Sequence, residues 1–219
     1  MGQKIHPKGY RIGTVFTWSS RWFADKRLYR ALLYEDVKIR EELFRRLKSA
    51  GLSEVEIERS INKVKITLHV ARPGVVIGRG GSGLEEIKKY LEAFVADVAK
   101  PRLGKGEAKQ KLELSVEPVK EPNLQAYLVA TTISDQLAKR LPHKRVGNQA
   151  IERVMSAGAK GVRVLLSGRI GGAEIARREK YQAGTVPLST IREEIDFASV
   201  PSLTKSGYIG VKVWICRKS

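Results

Sequence analysis

Hydrophobic and polar residues follow two different periods along the first half of the chain. Over residues 35–50 the apolar positions recur with helical spacing, and Gly51 ends the pattern. Over residues 54–70 apolar and polar residues then alternate one by one, interrupted near Asn62. The pattern predicts a helix followed by an antiparallel hairpin that buries one face.

Glycine and proline punctuate the segment that follows the hairpin. Pro73 is suited to the first turn of a short helix that runs through Ile77. A glycine cluster comes next, and residues 84–98 carry an unbroken apolar stripe at helical spacing. Residues 112–116 alternate again as a third strand before Pro118. The glycine cluster is therefore predicted to join two helices.

The second half of the chain predicts a separate α+β unit. Two helical patterns come first and four strand patterns follow, namely helices over 123–141 and 146–157 and strands over 162–167, 175–181, 189–197 and 209–215. The predicted fold class is α+β in three parts. These are a basic N-terminal arm (1–34), a domain with a helix on a three-stranded mixed sheet (35–118), and a C-terminal domain with two helices packed on an antiparallel sheet (119–219).

Charge limits the kinds of partner. The 41 Lys and Arg residues outnumber the 23 Asp and Glu residues, giving a net charge of +18. Such a field attracts polyanions, and the excess is spread over the whole length of the chain. This distribution favours a protein embedded in RNA over one with a single basic tail.

Other chemistries have little support in the composition. Cys216 is the only cysteine and the three histidines are scattered, so we expect no disulfide, no metal site and no catalytic group. No apolar run approaches the roughly 20 residues that span a bilayer. We expect a cytoplasmic protein with no membrane association, no cofactor and no small-molecule substrate.

The glycine cluster has two possible interpretations. From Gly78 to Gly83 it has the Gly-x-Gly-x-x-Gly spacing of dinucleotide-binding folds, and Asp97 follows about 20 residues later. That fingerprint needs a strand before the glycines and another ending at the acid, whereas Asp97 falls inside a helical stripe. Leu84 and Glu85 stand where a nucleoside triphosphatase loop needs Lys and Ser or Thr. A Gly-x-x-Gly turn between helices, which exposes backbone N–H groups to a sugar-phosphate chain, fits better.

Residues 35–118 resemble a type II KH domain. Residues 76–87 match the family pattern Val-Ile-Gly-x-x-Gly-x-x-Ile-x-x-Ile, with Leu84 at the first spaced Ile. The predicted order of helix, two strands, helix, loop, helix and strand is also similar to that of the family. The resemblance implies that Gly78, Arg79, Gly80 and Gly81 contact RNA. Family members often carry two basic residues between the glycines where this chain has Arg79 and Gly80, which predicts a weaker grip. A loop that only joins the two helices is the structural alternative.

A second resemblance covers the whole chain. Motifs from end to end are similar to those of the bacterial-type third protein of the small ribosomal subunit: GQKIHPKGYRIG at 2–13, WFA at 22–24, ARPGVVIG at 71–78, GAKG at 158–161, SGRIGGAEIAR at 167–177, VPL at 186–188 and YIGVKVWI at 208–215. This resemblance implies a non-enzymatic rRNA-binding protein in the head of the subunit. It also implies small-subunit proteins ten and fourteen as neighbours, and a part in lining the mRNA entry channel.

The resemblance also assigns an mRNA-facing site. Lys144 and Arg145 match basic residues that face incoming mRNA and take part in opening its secondary structure. Asn148 stands at the third basic position of that cluster, which weakens the expected unwinding role. A solvated helix end, or favourable pairing with the dipole of a helix C-terminus, is the structural alternative for the two cations.

Two further basic groups are predicted to bind rRNA. Lys4, Lys8 and Arg11 lie in the arm, which we expect to order only on binding. Arg177 and Arg178 follow the motif at 167–177 and are expected to contact rRNA or to pair with neighbouring glutamates. The tryptophans at positions 18 and 22 are interpreted as packing anchors in preference to base-stacking groups.

Three functions are thus compared. The favoured one is a ribosomal component that binds 16S-type rRNA and contacts mRNA. A free KH-type RNA-binding regulator is the alternative within the same chemistry, and a nicotinamide-dependent enzyme is the alternative from another class.

Overall fold

The computed structural model describes residues 4–60, 63–99 and 111–218, and these form two compact units. One unit comprises residues 18–120, and the other joins residues 1–17 to residues 121–219. The predicted turn near Asn62 lies outside the described residues.

The unit at 18–120 contains the predicted helices and strands. Its elements are β1 (Ser20–Arg21), α2 (Lys26–Arg46), a 3-10 turn (Lys48–Ala50), β2 (Leu52–Ser60), β3 (Lys63–Val70), α3 (Pro73–Ile77), a 3-10 turn (Arg79–Gly81), α4 (Ser82–Ala99) and β4 (Lys111–Pro118), and α1 (Pro7–Tyr10) precedes them in the chain. The sheet has the order β1-β2-β3-β4. Strands β2 and β3 are antiparallel, as the alternation predicts, and β4 is parallel to β3.

One apolar core holds this unit together. Leu43 on α2 and Leu91 on α4 pack with strand residues such as Ile57 and Ile66, and all four side chains are at most 1% exposed. Each such burial contributes about 1.5–3 kcal/mol relative to exposure. Val76 on α3 and Leu91 on α4 belong to this core, so both helices lie on the same side of the sheet. Among the described residues, the opposite face carries exposed side chains such as Lys63 and Lys65 and is called the open face.

Strand β1 was not predicted and comes from the lead-in to the first helix. It pairs parallel with β2 over two residues. Trp22 follows it and donates a hydrogen bond of 2.7 Å from its indole nitrogen to Oδ2 of Asp36, a buried carboxylate that also pairs with Arg59. Trp22 is thus held against α2, as expected of a packing anchor, whereas Trp18 is 67% exposed, so the same interpretation is wrong for Trp18.

The other unit has the predicted layers of helices on an antiparallel sheet. Its elements after α1 are a 3-10 turn (Pro122–Leu124), α5 (Ala126–Ala138), α6 (His143–Ser156), β5 (Gly161–Gly168), a 3-10 turn (Ile170–Gly172), β6 (Arg177–Gly184), β7 (Ile195–Thr204) and β8 (Gly207–Cys216). The sheet order is β6-β5-β8-β7 with every pair antiparallel. Helices α5 and α6 cover one face through a core that includes Ile133, Val154, Val164 and Val213.

A carboxylate distant in sequence caps helix α5. The Asp196 carboxylate accepts a hydrogen bond of 2.8 Å from the backbone N–H of Ala126, the first residue of the helix. Burial of this carboxyl group raises its pKa above the usual value for an aspartate, although the bond from Ala126 opposes that shift. The contact ties the start of α5 to strand β7.

Strand β7 begins later than predicted. The alternation favours residues 189–197, but the strand runs from Ile195 to Thr204. The backbone oxygens of Thr190 and Glu193 accept hydrogen bonds from the guanidinium of Arg11. The residues before Ile195 are therefore a loop whose carbonyl groups bind Arg11. The strand continues through Pro201 because β7 lies at the sheet edge, where a missing N–H is tolerated.

Candidate nucleic-acid interface

The glycine turn lies between two helices, as predicted. Gly78 ends α3, and α4 begins at Ser82. The preceding strand, β3, ends at Val70, and β4 does not begin until Lys111. Asp97 lies within α4, so the strand–turn–helix–strand context of a dinucleotide site is absent from this part of the described chain.

The glycines of the turn have two different structural roles. Gly78 and Gly83 allow close backbone approach, since a Cβ on Gly83 would lie 2.7 Å from the carbonyl oxygen of Val76. Gly80 and Gly81 have positive φ angles of 63° and 85°, and a Cβ on either would meet open space. The first pair packs the helices together, and the second forms an accessible apex.

The surroundings of the apex suit a nucleic-acid chain. Arg79 is exposed on the turn and Arg72 is exposed at the start of α3. Val75 and Ile77 on α3 are 55% and 39% exposed, which places apolar surface beside these cations. The sequence predicts the short helix through Ile77 but not which of its side chains are exposed, because the exposed side of a five-residue helix cannot be read from its period.

Lys144 and Arg145 lie in the first turn of α6, and both are exposed. The helix begins at His143, so these cations face the positive end of its dipole, and no acid occupies that turn. The alternative of a stabilising dipole interaction at a helix C-terminus is therefore wrong. Asn148 is also exposed, one turn beyond Lys144 on the same side of the helix.

The neighbouring arginines at the start of β6 point to opposite faces of the sheet. Arg177 lies on the helix-covered side, where its Nε is 3.3 Å from Oε1 of Glu179. Glu179 also lies 3.1 Å from Nε2 of His143 and accepts a hydrogen bond of 2.6 Å from Tyr181. Arg178 is exposed on the other face. The predicted pairing with a glutamate thus applies to Arg177.

Arg11 has an internal role that the sequence did not indicate. It is fully buried, and its guanidinium donates hydrogen bonds of 2.7–3.0 Å to the carbonyl oxygens of Pro7, Leu188, Thr190 and Glu193. This contact fastens residues 4–17 to the unit that contains residues 121–219, in contrast to the expected flexible arm. RNA binding by Arg11 is not carried forward, because the group is inaccessible. Lys4 is exposed and Lys8 is half-buried, with its Nζ 5.5 Å from the ring centroid of Phe16.

The described ranges contain neither a metal-binding cluster nor a membrane-spanning helix. No group of three His, Cys, Asp or Glu side chains is arranged to hold a metal ion. Among the helices described, none has the length and apolar character needed to cross a bilayer.

Comparison with known proteins gives matches over both units. Residues 38–124 match the model of the KH domain family, and residues 133–215 match that of the ribosomal protein S3 C-terminal domain. The chain is 46% identical over 215 residues to small ribosomal subunit protein uS3 of Desulforamulus reducens, covering 98% of this chain and 91% of the relative. It is also 46% identical over 217 residues to the uS3 protein of Bacillus cytotoxicus, covering 99% and 93%. The uS3 protein of Carboxydothermus hydrogenoformans is 45% identical over 215 residues, covering 98% and 91%.

Proposed function

The chain belongs to the family of small ribosomal subunit protein uS3, and from this premise we propose that it binds 16S-type rRNA in the head of the subunit and helps to line the mRNA entry channel. The observation that carries the RNA-binding part is the exposed apex at Gly80 and Gly81 between two helices. With no Cβ to block approach, a sugar-phosphate chain can reach the backbone N–H groups there.

Affinity in this proposal comes mainly from phosphate neutralisation. The net charge of +18 and the exposed cations Arg72 and Arg79 favour RNA without reading its bases. The fixed shape of rRNA would supply the specificity. The affinity for RNA should therefore fall by roughly 0.7–0.9 log units per decade of salt for each phosphate contact.

The mRNA-facing part rests on the start of α6. Lys144 and Arg145 are held outward on a packed helix at a position where they oppose the helix dipole. Their cost to helix stability favours a role in ligand binding. Each would hold a phosphate of incoming mRNA, and Asn148 would add no charge to this row, so the unwinding activity would be modest.

Protein neighbours are part of the same proposal. Helix α2 exposes Tyr29, Leu33 and Val37 at four-residue spacing, each at least 44% exposed. Such an apolar row on a helix suits a protein contact. We assign small-subunit proteins ten and fourteen as the neighbours, and lysine cross-linking of assembled subunits would identify the proteins that lie beside α2.

Sucrose-gradient sedimentation of a cytoplasmic extract at physiological salt tests the proposal as a whole. The protein should sediment with small subunits and be released only by high salt. Sedimentation as a free protein would instead support the alternative of a KH-type regulator. Passage of ribosomes through an mRNA hairpin tests the entry-channel role separately.

A further inference from the structure

The unit that contains residues 121–219, called the C-terminal unit here, has a sheet with the order β6-β5-β8-β7. One face of this sheet is covered by neither α5 nor α6. Register places the side chains of this open face in rows across the four strands: Lys180, Leu165, Lys212 and Ser199 form one row, Arg178, Ser167, Gly210 and Pro201 the next, and Tyr208 and Leu203 the last. The intervening residues, such as Val164 and Val211, point into the core under α5 and α6.

Within the described ranges, other parts of the chain cover this open face at one end of the sheet and leave it exposed at the other. At one end of the sheet, Phe197 and Trp214 pack together with ring centroids 5.1 Å apart, and His6 meets Phe197 edge-on. At the other end, Tyr208 is 68% exposed and Leu203 is 63% exposed. We call the three rows above the uncovered half-sheet.

The uncovered half-sheet is cationic. No Asp or Glu stands at an open-face position of the four strands, all of which are described. The cations Arg178, Lys180 and Lys212 are exposed, and in the described part of the chain the ion pair at this end of β6 is made by Arg177 and by none of these three. Their charge is therefore available to a ligand.

The sheet β1-β2-β3-β4 of the unit at 18–120, called the KH sheet here, has an open face without such uncompensated positive charge. Its cations are compensated by glutamates, since Lys63 pairs with Glu113 and the Nζ of Lys65 lies 3.9 Å from Oε2 of Glu58. Two open sheet faces in one basic chain thus differ in charge. The difference is a property of particular positions, beyond the overall excess of Lys and Arg.

We propose that the uncovered half-sheet binds a single-stranded segment of RNA, with Tyr208 stacked on a base and Arg178, Lys180 and Lys212 at phosphates. Lys180 and Lys212 lie on either side of β5, so their backbones are about 10 Å apart, and Tyr208 is about 13 Å from Lys212 along β8. An aromatic ring beside a cationic track is the combination with which proteins bind single strands independently of sequence.

The charge pattern and the exposed tyrosine together indicate that the ligand of the uncovered half-sheet is RNA. An acidic protein segment could also meet the cations, but an exposed tyrosine on a flat sheet offers a base a stacking surface. This inference rests on the proposed function, because it names a second RNA-contacting surface of a ribosomal protein. The source we commit to is a single-stranded part of rRNA, the RNA with which the proposed function places this protein, and mRNA, which shares the chemistry, is an outcome of the test.

Cross-linking locates the RNA on the full chain. A short oligouridine that contains 4-thiouridine, irradiated with the purified protein, should cross-link to the peptide that contains Tyr208. Tyr208→Ala should lower the yield at this peptide about tenfold through the loss of stacking, whereas Tyr208→Phe should retain it. Thermal unfolding of each variant verifies that the fold is intact.

A matched pair of double variants tests the phosphate contacts. Lys180→Ala with Lys212→Ala should reduce the salt dependence of oligouridine affinity by about 1.4 log units per decade, as expected for two lost contacts. Lys63→Ala with Lys65→Ala removes the same charge from the compensated KH sheet and should leave the salt dependence nearly unchanged. Equal effects of the two pairs, or no cross-link on the uncovered half-sheet, would overturn the inference.

Separate measurements test which RNA binds the uncovered half-sheet and whether the proposed ribosomal function is correct. A Tyr208→Ala defect in incorporation into small subunits supports rRNA as the ligand, whereas a defect in mRNA recruitment with normal incorporation overturns that assignment in favour of mRNA. A cross-link from this surface to a ribosomal protein in assembled subunits, with none to RNA, would reject the proposed RNA occupant. Sedimentation of the wild-type protein with subunits would still uphold the function in that case.

Discussion

Gly83 and Val76 approach so closely that a Cβ on the glycine would lie 2.7 Å from the carbonyl oxygen of Val76. Real Cβ atoms do not come this near to backbone oxygen, so the start of α4 can rest on α3 only with glycine at this position. The contact holds the two helices on either side of the exposed apex. The geometry of the turn therefore depends on packing below it.

Substitution of Gly83 should destabilise the KH unit. Gly83→Ala forces backbone atoms apart and should lower the free energy of unfolding by about 1–3 kcal/mol. Gly74→Ala is the matched control, because a Cβ there meets nothing within 4 Å and alanine favours the helix. Chemical denaturation compares the two variants, and equal stability would contradict the close contact.

Charge at the apex should decide RNA binding. Gly80→Asp combined with Gly81→Asp places two carboxylates where RNA phosphates would approach, and aspartate is among the residues that best tolerate a positive φ. We expect at least a tenfold loss of affinity for the oligouridine at low salt. Asparagine at both positions is the uncharged control of similar shape and should retain most of the binding. Unchanged affinity in the aspartate variant would reduce the turn to a structural link.

Arg11 should be required for stability. Arg11→Met leaves four buried carbonyl acceptors without their donor and should cost about 3 kcal/mol. Lys4→Met removes an exposed charge and should change the stability by less than about 0.5 kcal/mol. Thermal unfolding measures both, and a stable Arg11→Met protein would show that the carbonyl groups find other partners.

The start of α6 should matter more for mRNA than for assembly. Lys144→Ala with Arg145→Ala should slow ribosome passage through an mRNA hairpin severalfold while incorporation into subunits changes little. Loss of two cations from the positive end of a helix should slightly stabilise the protein. Asn148→Lys is the reciprocal variant and should speed passage by adding a charge to the row. Equal defects in passage and assembly would count against an entry-channel site.

Glu42 should make the stability of the unit at residues 18–120, the KH unit, sensitive to acid. Hydrogen bonds from Arg45, Tyr90 and Arg46 lower the pKa of this carboxyl group to about 2. Because the folded pKa is below that of an unfolded glutamate, the stabilisation is complete above about pH 4.3 and is lost as the pH falls toward 2. Glu42→Gln should lower the free energy of unfolding by about 1 kcal/mol at pH 7 and flatten the pH profile between those values. Tyr90→Phe should give an intermediate profile in acid denaturation.

Local patterns explain much of the agreement between expectation and structure. The alternation over residues 54–70 identifies the buried face of β2 and β3, because a strand turns successive side chains to opposite sides. The stripe over residues 84–98 identifies α4, and together with Pro73 it places the glycine turn between helices. These features depend on neighbours in sequence.

Other features depend on contacts across long sequence separations. Strand β1 has only two residues and exists because β2 is beside it. Arg11 is buried while Lys4 is exposed because carbonyl groups of residues 187–193 accept hydrogen bonds from the guanidinium of Arg11. No periodicity of the arm contains that information.

The sequence by itself determined an α+β chain with a glycine turn between helices, an excess of positive charge and an end-to-end family likeness, because period, composition and motif spacing are local properties. Only the tertiary structure decided which of Arg177 and Arg178 lies on the helix-covered side of β6, that Arg11 is buried, and which sheet face remains open. The physical reason is that a side chain becomes a binding group or a structural one according to what packs against it, and those partners are brought together by folding.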